Sequence, residues 1–269
     1  MYAAINAWAF PEGMPPGEQI VAAASAGFGG IELVVSDDGP FRFDTPSSEC
    51  AALAQQAEDQ GIRISGLASA VFWRINYGSP HEAMRYQACE LTLRALDRAA
   101  DLGAQAILVV PAVPCMYNEY RMQVGYAEAL QRTFEALAAL RSEAEARQVA
   151  IAIENVWNRF LLSPVEFANL IDQVGSRFVG AYFDVGNVVA FGFPEDWIAT
   201  LGGRIKRVHA KDYDAAKAGL AGFCPLGEGS VDWPKVTAAL REVGYDGPLT
   251  FEGGGDLADI YQRLQKILA

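Results

Sequence analysis

Four side chains that bind divalent cations close four successive apolar runs. One run ends at Glu154 in IAIENVW, the next at Asp184 in AYFDVGN, the third at His209 in RVHAKD and the fourth at Glu252 in LTFEGGG. The run Val149 to Ile153 has the uniform apolar character of a strand buried on both faces. An acid at the end of one such strand is ordinarily a solvated loop residue, but four ligand-type side chains in series are poorly explained by chance. Adjacent strand ends in a sheet lie about 5 Å apart, so the four can converge on one ion. Three carboxylates and one imidazole form a hard, oxygen-rich set that suits Mn²⁺ first, then Mg²⁺, with Co²⁺ or Zn²⁺ able to substitute. Glu154 and Glu252 are the outer members of the series and should flank the ion. A monodentate carboxylate keeps one oxygen free to take a proton. Two such bases on opposite sides of an α-hydroxycarbonyl are what proton transfer through an enediolate requires.

The elements that must position these groups alternate regularly. Short apolar runs near 2–7, 30–35, 62–68, 105–110, 148–154, 178–184, 204–210 and 248–252 are each followed by a helix-like segment. Segments 80–103 and 119–147 are rich in Ala and Leu, with Arg and Glu on the remaining faces. Ser79-Pro80-His81-Glu82 and Ser163-Pro164-Val165-Glu166 have the pattern of capping boxes with proline at the first helical position. Eight βα units in a chain of 269 residues predict an α/β fold, a single (β/α)₈ TIM barrel spanning 1–269 as the catalytic domain. The first turn, Trp8-Ala9-Phe10-Pro11, lacks the glycines that a doubly wound dinucleotide-binding sheet places there. In a barrel, catalytic groups gather at the C-terminal ends of the strands, where all four candidates fall.

Composition excludes several functions. With 21 basic against 33 acidic residues the net charge is −12, which repels a phosphate backbone, and no basic stripe interleaved with aromatics is present. Nucleic acid is not an expected partner. No apolar run has membrane length, and Cys50, Cys89, Cys115 and Cys224 are scattered without a C-x-x-C pair. The expectation is a cytoplasmic protein with reduced thiols, its oligomeric state open, homo-oligomer included.

The segments IENVWNRFLLSP, YFDVGN, VHAKDYD and TFEGG resemble the sugar-phosphate isomerase/epimerase family of the xylose-isomerase-like barrels. Within that family the chain is most similar to L-ribulose/L-xylulose 5-phosphate 3-epimerases and, more distantly, to ketose 3-epimerases acting on free sugars. GFGGIEL, WRINYGSPHEAMR, DLGAQAILVV, DVGNVVAFG and PLGEGSVDW extend the likeness over nearly the whole chain. The resemblance implies metal ligation by Glu154, Asp184, His209 and Glu252 and acid/base catalysis by Glu154 and Glu252. The chain departs from the ketohexose enzymes at Asn187, where they carry a substrate-binding histidine, and near Phe160, where they carry an acid. Both departures speak against a ketohexose substrate.

Other candidates carry a functional and a plain reading side by side. Glu32 in GGIELVV is expected to close strand two and, by resemblance, to approach sugar hydroxyls; a carboxylate held by neighbouring barrel polar groups is the alternative. Lys211 and Asp212 follow His209 directly and offer a substrate contact and a support for a ligand, or a strand-end salt bridge. Trp8 either walls the pocket or packs as a core aromatic. His81 reads as a surface residue in the first turn of a helix, and Glu228 as a solvated loop acid. Gly253, Gly254 and Gly255 precede the last helix, where barrels often bind phosphate on backbone N–H groups. Arg74, in a segment similar to the phosphopentulose epimerases, could add a cation.

These readings converge on a metal-dependent isomerase or epimerase of a ketose or ketose phosphate. A lyase or dehydratase acting on a keto-sugar or keto-cyclitol would use the same metal and base and then expel a substituent. A phosphodiesterase with a histidine-rich three-metal cluster is disfavoured, because the chain has 2 histidines. A non-catalytic sugar-binding role leaves the two outer glutamates without a purpose.

Overall fold

In the computed structural model, which describes Met1–Ala269, eight parallel strands close into a barrel. In chain order they are Tyr2–Asn6, Gly30–Val34, Arg63–Ala68, Ala106–Val109, Ala150–Glu154, Val179–Asp184, Ile205–Ala210 and Pro248–Phe251. Each lies within two residues of the apolar run that predicted it. The first strand pairs with the second on one side and the eighth on the other, so the sheet has no free edge. Between the seventh strand and the helix Trp233–Glu242, Asp212–Tyr213 and Phe223–Cys224 form a small antiparallel ribbon at the barrel mouth.

The core explains why the strands are so uniformly apolar. Most strand residues are buried between the barrel interior and an outer layer of helices, within a cluster of 74 buried hydrophobic residues. Only at the C-terminal ends, and at a few interior positions, does the pattern admit polar groups. Asn6, Glu32, Asp184, His209 and Thr250 are all fully buried.

Helix starts depart from the sequence patterns at two places. The third helix begins at Glu82 with His81 as its cap, so Ser79 and Pro80 lie outside it. Ser79 Oγ accepts from the His81 amide at 3.2 Å, a local turn that competes with the capping box. The fourth helix starts at Tyr126, not near residue 119, because Gly125 is extended and Gln123 N–H is spent on Pro114 O at 2.8 Å. The fifth helix does begin at Pro164 with Ser163 as cap, but the Ser163 side chain makes no capping bond. Glu166 accepts instead from the Tyr126 hydroxyl, whose oxygen also accepts from Leu161 N–H at 3.0 Å. That strap ties the loop after the fifth strand to the fourth helix.

Candidate active site

Glu154 and Asp184 are the last residues of the fifth and sixth strands, His209 is next to last in the seventh, and Glu252 follows the eighth. One ligand atom from each of the four lies within 4.8 Å of every other. Nδ1 of His209 is 3.0 Å from Glu154 Oε1 and 2.8 Å from Glu252 Oε2. Register accounts for part of this convergence: Asp184 is paired with His209, and His209 with Thr250, two residues before Glu252.

Asp184 is aimed by its backbone. Its Oδ1 accepts from Asn187 N–H at 2.7 Å, capping the short helix Val185–Val189, so Oδ2 turns toward the cluster. Asn155 locks the neighbouring strand end with two bonds, accepting from Asp184 N–H and donating to Asp184 O, each at 2.9 Å. Asn187 donates to Asn155 O at 3.0 Å and is thereby committed to this scaffold. Asn155 had no assigned role in the sequence reading, although its place directly after a strand-end acid was the available signal.

The cluster is short of positive charge. Asp184 Oδ2 and Glu252 Oε2 are buried atoms without a well-directed hydrogen bond. The Lys211 ammonium stands 3.1 Å from the former and 2.8 Å from the latter. Gly186 lets Lys211 come this close, since a Cβ there would sit 2.6 Å from Lys211 Cβ. Burial, reinforced by the Glu252 charge, pushes the Glu154 carboxyl up to about 7. Burial also raises Asp184, partly offset by Lys211. Burial acts on Glu252 in the same sense, but the charges of Lys211 and His209 outweigh it and hold Glu252 well below the usual carboxylate range. Burial opposes the charge on His209, yet the surrounding carboxylates, Glu32 foremost, lift it well above its ordinary value. Three carboxylates and an imidazole nitrogen, with one oxygen each of Asp184 and Glu252 lacking a well-directed hydrogen bond, fit a hard divalent cation.

Above the cluster opens a cavity of about 280 Å³, walled by Trp8, Trp73, Tyr117, Trp157 and Phe223 and floored by Glu154, Asn187, Lys211 and Glu252. Trp8 and Asn187 thus stand where expected substrate contacts should stand. Trp73, Tyr117, Trp157 and Phe223 were missed, though Trp73 stands five residues after the third strand and Trp157 three after the fifth. Three other expected contacts lie elsewhere. Glu32 does not close its strand; it sits mid-strand, fully buried, bonded to His209 Nε2 at 2.8 Å and out of reach of the cavity. Asp212 spends both oxygens on the mouth loop, accepting from Gly227 N–H at 2.7 Å, Tyr213 N–H at 2.9 Å and Trp233 Nε1–H at 2.9 Å. Arg74 is exposed, 3.5 Å from Asp37, and lines neither this cavity nor the one at Gly253–Gly255. That second cavity, about 480 Å³, is bordered by Asp256 and Asp259 at the start of the last helix and by Lys211 and Arg263. Arg263 beside it is paired with Asp259 and Glu228 at 2.7 and 2.8 Å. His81 is exposed, as the sequence suggested.

The model of the xylose isomerase-like TIM barrel family matches residues 20–268. The chain belongs to that family. Among curated members similar to it, the putative L-ribulose-5-phosphate 3-epimerase SgbU of Escherichia coli is 28% identical over 241 residues, covering 87% of this chain and 82% of that one. The L-ribulose-5-phosphate 3-epimerase UlaE of Escherichia fergusonii is 26% identical over 257 residues, covering 93% and 87%. The xylose isomerase-like fold recurs in a crystal structure of D-psicose 3-epimerase determined in the presence of D-fructose, with a TM-score of 0.81, 20% identity and coverage of 100% and 97%. It recurs equally in the IolI protein with a bound zinc atom, at a TM-score of 0.81, 16% identity and coverage of 100% and 98%. No helix of the chain is long and apolar enough to cross a membrane.

Proposed function

We propose that this xylose isomerase-like barrel is a divalent-metal-dependent epimerase or isomerase of a ketose or ketose phosphate, with Glu154 and Glu252 as its acid/base pair. The observation that carries the reading is the placement of these two carboxylates, from different strands, within 3.0 Å of one imidazole nitrogen beneath an aromatic-walled cavity. Likeness to the ribulose-phosphate epimerases supports the same substrate class.

The ion, held by Glu154, Asp184, His209 and Glu252 and expected to be Mn²⁺, would supply Lewis acidity toward the carbonyl and adjacent hydroxyl of the substrate. The remaining work falls to the chain. The aromatic walls stack on the apolar faces of a sugar and exclude water from the reacting carbon. One glutamate removes the carbon-bound proton and keeps it, and the other, already protonated from solvent, delivers its own proton to the opposite face of the enediolate. Lys211, in contact with Asp184 and Glu252, keeps a positive charge beside the developing negative one.

A lyase is the second reading, and one observation favours it. The cavity adjoins a larger groove of about 660 Å³, sharing Tyr117, Val156 and Trp157 with it and lined largely by apolar side chains, which is more room than a bare pentulose needs. One experiment separates the readings: NMR and mass spectrometry of Mn²⁺-loaded protein with pentuloses, hexuloses and their phosphates in D₂O. The expected outcome is a new epimer or isomer carrying one deuterium from solvent and otherwise intact, abolished by EDTA and restored by Mn²⁺. Loss of water or of a substituent would establish the lyase instead, and inertness toward the whole panel would contradict both.

A further inference from the structure

Below the carboxylate cluster the barrel interior carries a second polar layer that the proposed proton transfer does not use. Glu32 is its centre. Oε2 lies 2.8 Å from Nε2 of His209 and accepts from the Asn6 side-chain amide, while Oε1 accepts from the Tyr182 hydroxyl. The Tyr182 ring also packs on the His209 ring, with centroids 4.6 Å apart. A buried carboxylate without partners is costly; this one has three donors.

The backbone is bent to build this layer. Register slips between Ile31 and Glu32 where the second and third strands pair, and between Ala181 and Tyr182 where the sixth and seventh pair. The residues left over are Ser65 and Lys206. Arg207 ties both bulges together, donating from Nε to Ser65 O at 2.5 Å and from Nη1 to Lys206 O at 2.7 Å. Bulges re-aim side chains, and these two fall at Glu32 and Tyr182, the pair that meets across the barrel. Gly66, opposite Glu32, leaves the space: a Cβ there would lie 3.0 Å from the Tyr182 hydroxyl and 3.2 Å from Glu32 Oε1.

We infer that Glu32 is a positioning residue for the metal site: it accepts a hydrogen bond from His209 Nε2–H and so keeps the proton on that nitrogen, leaving the Nδ1 lone pair free beside Glu154 and Glu252. The inference rests on the metal-dependent reading above. The hydrogen bond at one ring nitrogen decides which nitrogen is free to bind a metal, and loss of such a partner typically weakens metal affinity about 10- to 100-fold. Tyr182 and Asn6 hold Glu32 in turn, and no member of this trio lines the mouth cavity.

The first test leaves the Glu32 layer unaltered. Because the chain has 2 histidines, His81→Gln leaves one ring to observe in ¹H–¹⁵N spectra of Zn²⁺-loaded protein. The expected result is a slowly exchanging proton on Nε2 and a metal-shifted Nδ1. A proton on Nδ1, or a His209 ring that zinc does not shift, overturns the inference. The second test is Mn²⁺ affinity of the metal-free protein, from free Mn²⁺ counted by EPR. Glu32→Gln should weaken binding about 10- to 100-fold and change the absorption bands of the Co²⁺ form, with a smaller loss in Tyr182→Phe. Unchanged affinity and unchanged Co²⁺ bands in folded Glu32→Gln contradict the role; if that variant does not fold, the His81→Gln spectrum and Tyr182→Phe decide. A protein with the expected Nε2 proton that converts no sugar would sink the enzymatic proposal and leave this one standing. Active, metal-loaded protein with the proton on Nδ1 would do the reverse.

Discussion

At the scale of single residues, chemistry is decided by which face of a strand a side chain takes. His209 and Lys211 are two apart and both point into the cluster, whereas Asp212, one further on, turns to the mouth loop. The sequence reading treats Lys211 and Asp212 as equals, although strand alternation from His209 already sets Lys211 on its face and Asp212 on the other. Glu154 shows the opposite case: alone it reads as a solvated loop acid, and only the series it forms with Asp184, His209 and Glu252 points to the cluster in which burial lifts its carboxyl to about 7. Below that pH the group keeps its proton and cannot serve as a ligand, so Mn²⁺ affinity should fall as pH drops through about 7. His209, raised in the same sense, adds a further dependence at higher pH. EPR counts of free Mn²⁺ across a pH series should show the step near 7 in wild type and lose it in Glu154→Gln. A step that persists in the variant would assign the proton to another group.

At the scale of elements, the strands were legible because they are short, uniformly apolar and punctuated by polar ends, a pattern that helices of this chain do not share. Loops and helix starts were less so. Ser79 and Ser163 occupy capping-box patterns, yet one serves a turn and the other makes no side-chain cap, because Tyr126 and its partner Glu166 settle that corner through a contact remote in sequence. Glu32 was misplaced for a related reason: its partners come from the first, sixth and seventh strands, and the bulges that aim it leave no mark in composition. The last helix gives the glycine turn acidic neighbours that the glycines alone do not announce. Glycines precede it, but Asp256 caps it and Asp259 stands in its first turn, so the dipole there is already complemented. Arg74, exposed beside Asp37, is not part of that corner. Arg74→Ala should therefore change KM for a phosphorylated and a free ketose by the same small factor. A rise confined to the phosphorylated substrate, in steady-state kinetics with both, would restore Arg74 as a phosphate ligand.

At the scale of the whole molecule, closure of the barrel is what turns four separate strand ends into one site, and it also supplies the buried layer that supports it. Glu154 and Glu252 come from strands that are not neighbours, yet both reach the same imidazole nitrogen. The central claim is that each handles the proton on one face of the same enediolate. Solvent exchange in the single variants Glu154→Gln and Glu252→Gln, with metal content verified, addresses it most directly. Each variant should lose net turnover by several orders of magnitude. In D₂O, one should still wash deuterium into one epimer while the other labels the opposite epimer, because the remaining carboxylate can take and return a proton on its own face. If one variant abolishes exchange from both epimers and the other spares both, a single base does the work and the two-glutamate mechanism is wrong.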